Sequence, residues 1–247
     1  MIKVALCPSP ELYPIYHNPN ATVIVVDVFR ASTSIVTALH HGADAILPVK
    51  DTQEAQNLGK KMGYGIAAER NVKKCDFAEF GNDPFEFTAE RVKGRKIVFS
   101  TTNGTRAVRT VERLGVKNIL IGALINLCAT ARFCEEKGIK DIVVLAAGWN
   151  GKMSIEDCLY AGALSTYFEA HQSGTCEGDA ATVMHDLWKS KCSSLQGRLS
   201  YVRKSEHYKR LVDNHLENSV EYCLQTEGAD CVAKVEIIDG QPWIKKY

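Results

Sequence analysis

Long hydrophobic runs are missing from this chain of 247 residues, and no stretch approaches the length of a bilayer crossing. The opening MIKVALCPSPEL has too short an apolar part for a secretory leader, so the expectation is a cytoplasmic protein with no membrane partner. Charge of one sign is lacking too. With 30 basic and 29 acidic residues the formal net charge is +1. That leaves no basic footprint for nucleic acid, so an anionic ligand must be held by a local cluster. The nine cysteines include no C-x-x-C pair. An odd count scattered through apolar patterns argues against a disulfide framework or a zinc site and fits buried, reduced thiols. There is no G-x-S-x-G elbow, and GWNGK sets Gly148 too close to Gly151 and Lys152 for a nucleotide-triphosphate loop. Phe29 excludes a D-x-D strand end, and no histidine pair has ligand spacing.

What is present is alternation. IKVAL, TVIVVDV, AILPV, GIAAE, KIVFS, NILIGA and DIVVLAA are short, branched and apolar. Between most of them run stretches of helical period such as STSIVTALHHG, DTQEAQNLGKKMG, GTRAVRTVERLG and NLCATARFCEEKG, and SIEDCLYAGALSTYFEA follows the last. The pattern predicts a three-layer α/β/α fold with a mainly parallel or mixed central sheet, in a single domain over residues 1–247. After about residue 172 the chain becomes helix-rich, through TVMHDLWKSK and HYKRLVDNHLENSVEYCLQ. A last strand pair, CVAKVEIID and PWIKKY, flanks the turn DGQP, and residues 172–247 are a candidate C-terminal lobe or lid.

In open α/β sheets, ligands collect where strand ends converge and helix N-termini point inward. Four such loops carry more polar and glycine residues than a turn requires: DVFRAST, ERNVKKCDFAEFGNDP, STTNGTRA and AGWNGKMSIED. Asp27 closes a strand packed on both faces, where an unpartnered acid is costly, so Arg30 or a metal ion must meet it. Ser32, Thr33 and Ser34 can cap the helix that follows. Thr101, Thr102, Asn103, Gly104 and Thr105 enter a helix ahead of Arg106, either as a capped turn or as an oxyanion cradle. Glu156 and Asp157 are adjacent acids at a helix start, suited either to the helix dipole or to a hard cation. If Asp27, Glu69, Glu156 and Asp157 converge, their repulsion calls for a divalent ion, and Mg²⁺ is the economical choice.

DVFRAST, AERNVKKCDFAEFGNDP, STTNGTRA and AGWNGKMSIEDCLYAGA, in this order, resemble the signature segments of the ComB family, the 2-phosphosulfolactate phosphatases. The resemblance runs from about Thr22 to Ala163, and LENSVEYCLQ is similar to the family's C-terminal region. It implies a Mg²⁺-dependent phosphatase that converts 2-phospho-3-sulfolactate to 3-sulfolactate, on a route toward coenzyme M. The chain departs from the family pattern at Ala67, Ala68, Asp83 and Ala146, and Asp83 replaces a serine beside the expected anion site. Joined to the strand-end reading, the resemblance places Mg²⁺ on Asp27, Glu156 and Asp157, with Glu69 a further ligand or a nearby acid. The TTNGT loop holds phosphate or sulfonate, Arg30 offsets charge on the phosphoryl oxygens, and Arg70, Asn82 and Arg106 grip the other anionic ends. Whether Asp27 attacks phosphorus or serves only as a ligand stays open.

Two rival readings remain. One is a non-catalytic module that binds a small sulfonated or phosphorylated acid. The other is a cysteine-dependent phosphatase on Cys192, whose C-x5-R spacing to Arg198 satisfies that class, although the preceding segment reads as helix rather than strand. The partners expected are a small anionic substrate and, as for many cytosolic enzymes of this size, a second copy in a homodimer.

Overall fold

The structure, a computed structural model, describes residues 1–101 and 103–247. Its strands in chain order are β1 (Ile2–Cys7), β2 (Thr22–Val26), β3 (Ala45–Pro48), β4 (Gly65–Arg70), β5 (Lys73–Lys74) and β6 (Lys96–Ser100). They continue with β7 (Ile119–Gly122), β8 (Asp141–Ala146), β9 (Gly174–Glu177), β10 (Ala233–Ile238) and β11 (Gln241–Lys246). The helices are α1 (Tyr13–Tyr16), α2 (Ala31–His40), α3 (Thr52–Met62), α4 (Ala89–Val92), α5 (Gly104–Arg113) and α6 (Leu127–Glu136). Then come α7 (Ile155–Ala170), α8 (Asp179–Leu187), α9 (Leu195–Val202), α10 (Glu206–Asp213) and α11 (Val220–Cys223). Each of the seven strands expected from the apolar runs is there. The exposed edge strand β9 lacks the apolar run that would have announced it.

The sheet is mixed, with strand order β5-β4-β6-β3-β11-β10-β7-β2-β8-β1-β9. Two parallel blocks, β4-β6-β3 and β7-β2-β8-β1-β9, are joined by the antiparallel C-terminal hairpin β10-β11. Asp239 and Gly240, at φ 51° and 72°, make the tight turn of that hairpin with the left-handed residues such turns need. Three successive antiparallel pairings reverse one block relative to the other. Twist of about 20–25° per strand, accumulated over the five steps from β6 to β2, amounts to roughly 100–125°, so the blocks cross rather than oppose. The C-terminal ends of β2 and β6 can therefore meet across the core.

Alternation along the strands feeds helices on both faces, in keeping with three layers. Val23 and Val25 of β2 belong to one core with the apolar residues of α2 and with Ile97 and Phe99 of β6, while Ile24 and Val26 belong to a second core with Leu159, Tyr160 and the helices of the C-terminal half. Leu47, Ile66 and Val98 lie under α3. No helix among the described residues is long and apolar enough to cross a membrane. The stretch HYKRLVDNHLENSVEYCLQ is not one helix: α10 ends at Asp213, and His215, at φ 57°, turns the chain before α11.

Candidate active site

The DVFRAST segment folds as a tight entry into α2. The Asp27 amide donates to Ser32 Oγ at 2.8 Å, and the Ala31 amide donates to Asp27 Oδ1 at 3.4 Å. Ser32 thus acts within the turn, while Ser34 donates to the carbonyl of Asn82 at 3.1 Å and ties α2 to the FGNDP segment. Gly104 at the start of α5 lies against this turn. A Cβ there would stand 2.8 Å from Ala31 Cβ and 3.1 Å from Asp27 Oδ2, so only glycine lets the two helix entries approach so closely.

A cleft with an empty volume of ≈ 350 Å³ opens at this junction. Asp27, Arg30, Glu69, Asn82, Thr101 and Asn103 line it, and the fourth loop adds Trp149, so residues from all four loops meet there. Thr102 lies outside the described residues. Thr101 and Thr105 also serve the helix end: the Thr105 amide donates to Thr101 Oγ1 at 3.3 Å and Thr105 Oγ1 donates to the Thr101 carbonyl at 3.0 Å. Cap and cleft wall are therefore one structure at Thr101. Asn82 Oδ1 is buried with no hydrogen-bond partner among the described residues, an acceptor left for something else.

Arg30 is buried, and its Nη1 donates to Asp83 Oδ2 at 3.0 Å and to Ser219 Oγ at 3.4 Å. Two other arginines expected here are turned elsewhere. Arg70 donates to the Glu69 carbonyl and to Ser100 Oγ, at 3.0 and 3.3 Å, and does not line the cleft. Arg106 pairs with Glu11 at 2.7 Å on a separate surface beside Arg109 and Arg113.

The four acids divide. Asp27 and Glu69 line the cleft, and Glu69 Oε2 accepts from the Val72 amide at 2.9 Å. Both oxygens of Asp157 take backbone amides, Val28 at 2.7 Å and Gly148 at 3.1 Å, which staples the DVFRAST and AGWNGK loops together. Glu156 is wholly buried, and its Oε1 lies 2.8 Å from His207 Nδ1. Among the described residues no three His, Cys, Asp or Glu side chains share a spacing that would hold a metal ion. Burial pushes the Asp27 carboxyl up to about 6, against the opposing pull of His207 and the Ala31 amide, with Glu69 and Glu156 adding to the rise. Burial, then the charges of Glu156 and Asp27, also drive Asp157 upward.

Sequence reasoning missed the wall that closes this cleft. His207, Arg210 and Leu211 line it at i, i+3 and i+4 on α10, together with Trp149 from the AGWNGK loop. His207 stacks on Trp149 with ring centroids 6.5 Å apart, and the Arg210 guanidinium lies 3.6 Å from the Trp149 ring centroid. Burial alone would lower the His207 pKa, but the hydrogen bond and charge of Glu156, with that of Asp27, raise it above 6.5. The only signal in the sequence is a histidine and an arginine one helical turn apart in HYKR, which any solvated helix could show.

The Cys192 alternative loses its anion site. Arg198 donates to the carbonyls of Leu224, Cys192 and Ser193 at 2.7, 3.0 and 3.0 Å. Cys192 is fully buried at the end of a helical segment, and burial raises its thiol pKa where a nucleophile needs it lowered.

The chain is similar to known proteins over most of its length. The family model described as 2-phosphosulpholactate phosphatase matches residues 7–237. A probable 2-phosphosulfolactate phosphatase of Caldanaerobacter subterraneus subsp. tengcongensis is 34% identical over 237 residues, covering 92% of this chain and 95% of the relative. A protein of the same description from Thermotoga maritima is 36% identical over 202 residues, 82% of this chain and 83% of its own. Another from Gloeothece citriformis is 30% identical over 236 residues, 92% and 93% of the two chains.

Proposed function

Because the chain belongs to the 2-phosphosulpholactate phosphatase family, we propose that it hydrolyses the phosphate monoester of 2-phospho-3-sulfolactate to 3-sulfolactate and phosphate, with Mg²⁺ as cofactor. One observation carries the reading beyond the family match. The DVFRAST, FGNDP and STTNGTRA segments, distant in the chain, supply Asp27, Arg30, Asn82 and Thr101 to a single cleft. Such a set suits phosphoryl transfer, in which catalysis is mostly positioning and charge stabilisation.

The donor set fits a hard cation in a particular way. Mg²⁺ is commonly held by one or two carboxylates while waters and phosphate oxygens complete its shell. Asp27 and Glu69, the two acids that line the cleft, would hold it. A close-packed shell of four acids is not needed: Asp157 holds the amides of two loops and Glu156 pairs with His207 on α10. Bound there, the ion would offset the repulsion between Asp27 and Glu69 and polarise a phosphoryl oxygen.

The chain's own groups then divide the work. Arg30, fixed through Nη1 by Asp83 and Ser219, keeps its other donors for the charge that develops on the phosphoryl oxygens. The start of α5 at Gly104, through its close approach to Asp27 and the positive end of its helix, forms the floor for the phosphate. Asn82 offers its side-chain amide beside Arg30. Asp157 holds the backbone of Val28 and Gly148 so that the two loops keep their spacing. The same proposal includes a cytoplasmic setting, which suits nine free thiols, a role toward coenzyme M, and a homodimer.

A phosphate-release screen over small phosphorylated 2-hydroxy acids tests the reading. Release is expected from 2-phospho-3-sulfolactate with Mg²⁺ and at least about tenfold less with chelator present. Absence of release from every substrate would favour a binding module without chemistry. Cys192→Ser is expected to leave phosphate release unchanged, and alkylating agents at neutral pH to leave Cys192 unmodified because its thiol is buried and its pKa raised. Loss of turnover in that variant would return the cysteine mechanism.

A further inference from the structure

We propose that Arg210 receives the sulfonate of the substrate and so sets the preference for a sulfonated over a plain 2-phospho acid. The inference rests on the phosphatase reading and names the partner of one group within it. A substrate with phosphate, carboxylate and sulfonate on three adjacent carbons carries acid groups at both ends, and the cleft must meet each with a cation. Asp27 and Glu69 make the cleft acidic, which sharpens that need.

The arginines around the cleft sort themselves by what they already hold. Arg30 holds Asp83 and Ser219 through Nη1 and gives its remaining donors to the phosphate, Arg70 is turned to the Glu69 carbonyl and Ser100, and Arg106 to Glu11. Arg210 lines the cleft and has no ion-pair partner within 4.0 Å among the described residues, although burial lowers its pKa and the charge of Glu69 opposes that fall. Its guanidinium lies over the face of Trp149 at 3.6 Å. Stacking engages the face of the guanidinium and leaves its edge donors free, and that planar fork matches two oxygens of one acid group. A guanidinium is weakly hydrated, and a sulfonate spreads its charge over three oxygens, so the pair loses little solvation when it forms. Trp149 on the AGWNGK loop sets the position of the guanidinium, and α10 brings it into the cleft.

The test compares the wild-type enzyme with Arg210→Gln and Arg210→Lys on 2-phospho-3-sulfolactate and on 2-phospholactate, which lacks only the sulfonate. Arg210→Gln is expected to lower kcat/KM for the sulfonated substrate by roughly 30-fold or more, mainly through KM. Its loss on 2-phospholactate should be at least tenfold smaller, and Arg210→Lys should fall between. Equal losses on both substrates would overturn the proposal and leave Arg210 a structural partner of Trp149. Calorimetric binding of 3-sulfolactate and lactate separates this outcome from failure of the function itself. If the wild-type enzyme hydrolyses neither phosphate ester, weaker binding of 3-sulfolactate alone in Arg210→Gln still supports the role. Unchanged or equally weakened binding overturns it. Thermal unfolding of each variant checks that the fold is kept.

Discussion

Asp27→Asn is expected to lower phosphate release by about 10³-fold or more while the protein stays folded, because removal of a cation-holding or attacking carboxylate forfeits roughly 4 kcal/mol of transition-state stabilisation. Asparagine keeps the shape and the oxygen that accepts from Ala31, so the turn into α2 survives. Stability should move the other way. The Asp27 carboxyl is raised from 3.8 to about 6, so the unfolded chain gives up that proton more readily than the folded one. Any stability tied to the group is fully present below 3.8 and is lost as pH rises through 6. At neutral pH, without metal, its buried charge costs on the order of 2–3 kcal/mol. An uncharged asparagine avoids that cost, and thermal unfolding in chelator should show the variant at least as stable as wild type above pH 6. A variant that is both active and destabilised would contradict both halves of the argument.

His207→Ala is expected to destabilise the protein by about 3–5 kcal/mol, since it strips the partner from a wholly buried carboxylate. For a chain of this length that corresponds to a drop in Tm of about 10 °C. Glu156 Oε2 already lacks a hydrogen-bond partner among the described residues, so nothing nearby takes over when the imidazole goes. The double variant His207→Ala, Glu156→Gln should recover a large part of the loss, because the uncompensated charge leaves with the glutamate. pH provides the second check. The His207 pKa is raised above 6.5 by Glu156 in spite of burial, so the pairing energy is full below 6.5 and drains as pH climbs through the raised value. The gap between wild type and His207→Ala should accordingly narrow in alkaline solution. A gap below about 1 kcal/mol, or one independent of pH, would mean that Glu156 is not charged against His207.

Much of the cleft was legible because its residues follow strands. Asp27 ends an all-buried run, and an acid in that position has no packing reason to be there. STTNGTRA carries more hydroxyls than a cap uses, and the structure resolves the choice at Thr101 by making it both cap and wall. Arg70 and Arg106 were placed by adjacency in sequence, yet a long flexible side chain can reach several partners, and each found one elsewhere. Glu156 and Asp157 illustrate the same limit. Adjacent on one helix, they diverge by about 100° around its axis, so one meets His207 and the other two loop amides.

The amino-acid order alone determined the alternating elements, the loops that carry chemistry and the family they resemble, because periodicity and turn residues act over a few neighbours. Only the tertiary structure decided that a C-terminal hairpin inserts between two parallel blocks and that their twist carries Asp27 to Gly104. It also decided that α10 closes the cleft with His207 and Arg210. Those contacts join residues far apart in the chain, and what fixes them is the packing of whole layers, to which no local run of sequence has access.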